Sequence, residues 1–153
     1  MQTGLPDLIQ HFNTANAALA RPAGEMLRGL CGQRLLHARF LNTLAMLEHM
    51  GSHKIMATQH GPAIDQPTLK HLAEEARHAF FFKRVAEREA GRMLGGGPAD
   101  LLAPLAARRY FNRLEAQIVR VLPPQSSRRA AYLLMSMVVE FRAIWIYGIY
   151  QSV

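Results

Sequence analysis

The sequence predicts an all-α helical bundle, and three observations carry the prediction. Leu, Ala, Met, Arg and Glu are abundant while β-branched residues are sparse, a composition that favours helix. Apolar residues recur three and four apart over long stretches, as at Leu36, Phe40, Leu44 and Leu47. No stretch alternates apolar and polar residues as a half-buried strand would. Half of the 153 residues are hydrophobic, which suits a single domain, 1–153, with a sizeable core and does not suit disorder.

Punctuation divides the chain into helices. Residues 5–20 form a short first helix, closed by Arg21-Pro22. A long helical pattern runs from about 24 to 57 and ends before HGPAIDQP (60–67), with its two prolines and a glycine. Thr68 is placed to cap the next helix, 68–93, which GRMLGGGPAD (91–100) stops. The triple glycine reads as a hinge or tight loop, since neither a preceding strand nor a following lysine supports a phosphate cradle. A further helical pattern covers 100–122. PPQSS (123–127) is a turn, with Ser126 or Ser127 as N-cap of a last helix running from 127 to the end.

Charge and cysteine usage set the context. The net charge is +7 and the pI about 10.3, a balance that fits a nucleic-acid or membrane-surface partner. The arginines are scattered in pairs (Arg108–Arg109, Arg128–Arg129) without a nucleic-acid motif, so an Arg-rich composition is the simpler reading. Cys31 is the only cysteine, which excludes a disulfide within the chain and fits a reducing cytoplasm. The N-terminal MQTGLPDLIQHF lacks a signal-peptide pattern. The most apolar stretch, 130–153, has Glu140 and Arg142 at its middle, so no membrane span is expected.

The chemistry is concentrated in HLAEEARHAFFF (71–82). On a helix Glu75 and His78 share a face with Leu72, Ala79 and Phe82, and so point inward. Glu74 shares the opposite side with Lys70 and Arg77 and pairs there. His71, four residues before Glu75, is a candidate neighbour of it. Glu48 lies on an apolar face with Leu41 and Leu44, with Gly51 and Ser52 one turn on. Glu140 shares a face with Leu133, Met137, Ile144 and Tyr147. Three inward carboxylates on three helices, with a histidine, call for a common partner, because a buried charge is costly unless compensated. A cation would compensate them, and carboxylates with imidazole suit iron, with manganese as the second choice.

Glu48 alone on one helix, followed by Glu75-Ala76-Arg77-His78 as Glu-x-x-His on the next, resembles the ferritin-like di-iron carboxylate superfamily, of the rubrerythrin or di-iron hydroxylase type. The resemblance covers residues 34–93 and, more loosely, 128–153. It implies a bundle of up-down helices with a helical crossover, iron as cofactor, and Glu48, Glu75 and His78 as metal ligands. It also implies a second lone Glu and a second Glu-x-x-His, and here the chain departs from the pattern. Glu115 is one candidate for the third-helix ligand, with Glu140 on the fourth helix; position 143 is then alanine where histidine is expected. Alternatively Glu140 is the third-helix ligand and 100–122 is the crossover. A crossover helix of about 22 residues returns about 33 Å along the bundle. The second reading is preferred, since ARFLNTLAMLE and RAAYLLMSMVVE share their patterning up to the acid. The second Glu-x-x-His would then lie beyond Val153. A truncated C-terminus, or completion by another copy in a homodimer or higher assembly that covers an apolar face, is the corresponding expectation.

The superfamily contains oxidases, hydroxylases, peroxidases, iron stores and enzymes that hydroxylate tRNA bases, so a di-iron oxidoreductase is implied without a substrate. A degraded single-metal site is compatible with the ligand set. Two other readings stay open: a metal-free bundle that keeps its acids protonated and serves as an assembly or interaction module, and an RNA-binding protein using the arginines. His49, His53 and His60 read as surface residues. Met26, Met46, Met50, Met135 and Met137 read as core filler. Trp145, Tyr147 and Tyr150 read as core or interface, and Cys31 as a small buried residue.

Overall fold

The computed structural model describes residues 4–59 and 63–153. Five helices account for most of them: α1 (Leu5–Cys31), α2 (Arg34–Ala57), α3 (Gln66–Ala90), α4 (Pro104–Val121) and α5 (Arg128–Tyr150). Among the described residues there is no strand, and the chain is an all-α helical bundle. His60, Gly61 and Pro62, in the expected turn before α3, lie outside the described residues.

The first boundary differs from expectation. Pro22 does not close a short helix but lies inside α1, and the break comes at Gly32-Gln33. A proline removes one i→i−4 hydrogen bond, at a cost of about 3 kcal/mol. Packing on both sides of Pro22 offsets that cost: Phe12 meets Phe141 edge-on at 5.9 Å, and Leu27 is fully buried. The cap of α3 also differs. Asp65, not Thr68, is the N-cap, and its Oδ1 accepts from the Thr68 amide at 2.8 Å while Thr68 is buried in the first turn. Ser127 caps α5 by accepting from the Ala130 amide at 3.1 Å.

The centre of the fold is the α2–α3 hairpin. Ala38, Leu41, Ala86 and Leu94 form its buried cluster, with Leu44, Phe82, Val85 and Ala90 packed around it. Two alanines that are fully buried let the helix backbones approach closely. Gly91 ends α3 in the left-handed conformation at φ 67°, which glycine adopts without a Cβ penalty. The chain then folds its loop back onto α2. Buried Asn42 donates to the carbonyls of Gly95 at 3.0 Å and Asp100 at 2.9 Å, and accepts from Lys83 at 3.1 Å. Arg39 donates to Pro98 O and Leu101 O, and Thr43 exchanges hydrogen bonds with Leu102. GRMLGGGPAD is therefore a pinned loop. Asn42→Ala would leave the Gly95 and Asp100 carbonyls without this donor and remove one of the acceptors of Lys83. It is expected to cost about 2–3 kcal/mol, read as a lower urea midpoint at unchanged slope.

Side-chain pairs fix the helix directions. Asp65–Arg129, His71–Tyr132 and Phe82–Tyr147 show α5 running the same way as α3. Thr43–Leu102 and Lys54–Glu115 show α4 running with α2, as the return leg between them. This is the direction pattern of a helical crossover.

The apolar faces are less covered than the sequence suggests. Leu133, Met137 and Ile144, expected to flank Glu140 in a seam, are 54%, 37% and 58% exposed. The inward face of α5 is instead the one carrying Tyr132, Val139, Ile146 and Tyr150. Of the three consecutive phenylalanines only Phe82 packs inward, because successive helical residues are turned about 100° from one another; Phe80 and Phe81 are exposed. Met26 is exposed as well, rather than core filler. By length and composition α5 also fits a bilayer span, over Arg129–Tyr150. Glu140 and Arg142 stand at its middle, where a charged side chain costs about 3 kcal/mol or more in lipid.

Candidate metal centre

Helices α2, α3 and α5 bring four side chains together around Glu75. Donor atoms of Glu48, Glu75 and His78 lie within 4.8 Å of one another, and so do those of His71, Glu75 and Glu140. The two groups share Glu75, which is 9% exposed, whereas His78 and Glu140, expected to face inward, are exposed at the edge of the cluster. His71 Nε2 lies 3.2 Å from Glu75 Oε1, one helical turn away, and His78 Nδ1 lies 3.8 Å from Glu48 Oε2 across the helix pair. Glu74 faces out and pairs with Lys70 at 3.7 Å and Arg77 at 3.9 Å.

Two tyrosines from α5 hold the outer atoms. Tyr147 donates to Glu48 Oε1 at 3.3 Å, and Tyr132 is hydrogen-bonded to His71 Nδ1, leaving Nε2 turned to Glu75. A partner on the far ring nitrogen fixes the orientation of a ligating histidine. Neither tyrosine was marked by a motif; their i,i+15 separation on α5 matches His71 and Glu48 only once the helices are docked. Gly51 completes the site. A Cβ there would meet Glu75 Oε2 at 2.6 Å, so the carboxyl occupies the space that glycine leaves.

The electrostatics follow from this crowding. Burial, then the hydrogen bond and charge of Glu48, then the charges of Glu140 and Glu74, push the Glu75 carboxyl up to about 8. Burial and the neighbouring Glu48 charge also raise the Tyr147 phenol, so it stays a donor at neutral pH. Burial first, and then the Cys31 thiol beside it, raise Tyr150 to about 12. Among the described residues no lysine or arginine forms an ion pair with Glu48, Glu75 or Glu140.

Glu115 is not in either group. It pairs with Lys54 across α2 and α4, with its side chain 53% exposed. The third-helix ligand role considered for Glu115 is thus taken by an ion pair with α2. Glu115→Gln is expected to leave metal content unchanged, and to cost less than about 1 kcal/mol in thermal or urea unfolding, as exposed ion pairs do. His49 and His53 are exposed and meet each other edge-on at 4.5 Å, away from the cluster. Trp145, Tyr147 and Tyr150 are half-buried and line a cleft that the cluster borders.

The donor set fits a hard or borderline divalent cation. Carboxylate oxygens and imidazole nitrogens converge on one buried carboxyl whose ionised form is disfavoured by burial and by neighbouring acids, and each group of three leaves coordination positions free. Comparison with models of known families, with curated proteins and with solved structures finds no match to this chain.

Proposed function

We propose that the chain is a ferritin-like metal-binding protein whose α2, α3 and α5 hold iron, or manganese, in an oxidase- or hydroxylase-type site. Glu48 and His78 would ligate one ion, His71 and Glu140 the other, with Glu75 between them. The observation that carries the reading is Glu75 itself. It is buried against two further carboxylates, with no lysine or arginine in an ion pair with them among the described residues and with Gly51 leaving room for its carboxyl. Bound iron would supply Lewis acidity and redox capacity toward oxygen or peroxide. The chain's own groups would orient the ligands: Tyr147 on Glu48 and Tyr132 on His71. A single occupied position, or a fully metal-free assembly module with Glu75 protonated onto Glu48, is the competing reading. The exposed strip Leu133, Met137 and Ile144 beside Glu140 supports a homodimer in which a second copy covers it.

Metal analysis of protein purified without chelators decides between these readings. Roughly one to two equivalents of iron or manganese are expected, falling to background in Glu75→Gln and His78→Ala. Substoichiometric metal that neither substitution changes would sink the proposal in favour of the metal-free module. Sedimentation at micromolar concentration, with Met137→Glu as the disrupting variant, tests the homodimer. A monomeric wild type would remove it.

A further inference from the structure

The carboxylate cluster borders one wall of a cleft of about 740 Å³, within the size range of small-molecule sites. The cleft is elongated: its α2 wall runs from Phe40 to Thr58, about 27 Å at about 1.5 Å per residue. Leu44, Phe111, Ile118, Val139 and Ile146 make its walls mostly apolar. Its charged lining is asymmetric. Glu48, Glu75 and Glu140 stand together, and Lys54 is neutralised by Glu115. Arg142 is the remaining lining cation. Among the described residues it has no acidic partner, and its guanidinium lies over the rings of Tyr110 at 4.7 Å and Phe111 at 5.1 Å.

A guanidinium that is stacked at one face and unpaired at its edge is preorganised to take an anion through two parallel N–H donors. Apolar walls running away from it ask for a hydrocarbon chain. Arg142 lines the cleft from α5, two residues and about 3 Å of helix rise beyond Glu140. The geometry points to a binding site for a medium-chain alkyl carboxylate, with its head on Arg142 and its chain along the apolar walls of the cleft that the Glu48–Glu75–Glu140 cluster borders. Binding itself needs no metal. Only the further step of making this ligand the substrate rests on the metal reading.

Trp145 is the one tryptophan and lines the cleft, so its emission reports occupancy directly. Metal-free protein is titrated with dodecanoate and, separately, with dodecanol, both below their aggregation limits. Dodecanoate is expected to shift Trp145 emission saturably at one equivalent and to bind at least about tenfold tighter than dodecanol. Arg142→Met removes that difference while dodecanol binding stays, and Arg142→Lys, which keeps the charge if the methionine variant folds poorly, retains part of it. Ala143→Phe, which fills the cleft from α5, abolishes both. No saturable shift, equal affinity for acid and alcohol in the wild type, or undiminished dodecanoate binding in Ala143→Phe overturns the inference. Glu75→Gln separates the two questions. Loss of iron with dodecanoate binding intact supports independent sites, whereas a wild type that binds iron but no dodecanoate overturns this inference alone.

Discussion

Gly51→Ala is expected to leave the helices intact and to weaken metal binding on the order of a hundredfold. The two effects come from different links of the same chain of causes. In a helix interior alanine is favoured over glycine by about 1 kcal/mol, so α2 gains stability from the substitution. The new methyl, however, would stand 2.6 Å from Glu75 Oε2 and 3.4 Å from its Cδ. The side chain must swing aside, since the backbone of α2 is locked against α3 by Ala38, Leu41 and Ala86. Glu75 is the donor shared by both groups, so moving it disturbs Glu48 and His78 on one side and His71 and Glu140 on the other. The measurement is metal content alongside a urea melt of the chelator-treated protein. Metal loss with unchanged or raised stability is the expected pair, and Gly51→Ala with Glu75→Asp, which withdraws the acid by one methylene, should regain part of the affinity. Full metal retention in Gly51→Ala would mean that Glu75 is not a ligand.

How far the sequence could be read depended on which question periodicity answers. The helical wheel tells which residues share a face. It put Glu75 and His78 inward and Glu74 outward; Glu75 is buried and Glu74 pairs with Lys70 and Arg77, but the His78 side chain is 58% exposed, because α5 does not reach over that edge of the helix pair. It identified five helical segments, because turns such as PPQSS and the Gly91 stop carry local chemistry. The wheel does not tell which face is covered when a helix is apolar all round. On α5 both Leu133–Met137–Ile144 and Val139–Ile146–Tyr150 are apolar, and only docking against α2 and α4 decides between them. Pro22 misled for a related reason: a proline costs a hydrogen bond locally, and tertiary contacts at Phe12 and Leu27 outweigh that cost. Gly51, Tyr132 and Tyr147 act across helix pairs, so their part in the cluster has no signature on their own helices. Asp65 as cap lay within the local signal, one turn upstream of the residue the pattern favoured.

Without metal the protein is expected to lose stability as pH rises from about 4.5 to 8, opposite to the usual trend for a carboxylate. The sign follows from proton counting. The Glu75 carboxyl has its ordinary value of 4.5 in the unfolded chain and is pushed up to about 8 in the folded one by burial and the neighbouring acids. Between those values the folded chain holds a proton that the unfolded chain has released. Stability contributed by the protonated pair is therefore fully present below about 4.5 and falls by at most about 1.4 kcal/mol per pH unit until the folded group ionises. Asp65, Glu87 and Asp100 are held below the usual carboxylate range, chiefly by hydrogen bonds from Thr68, Leu94 and Arg92 respectively, so their contributions are lost only at more acid pH. Glu75→Gln, which keeps the shape and cannot ionise, isolates the effect from the histidines nearby: its melting temperature should lose this downward limb between pH 4.5 and 8. A bound cation reverses the slope. Metal must displace the Glu75 proton, so affinity rises with pH, about tenfold per unit for one proton, and levels off above about 8. Metal-induced stabilisation, measured as the difference in melting temperature with and without iron, should accordingly grow across the same pH interval in which the metal-free protein weakens. A wild type whose metal-free stability and metal affinity are both flat between pH 5 and 8 would show that Glu75 neither holds the proton nor binds the ion.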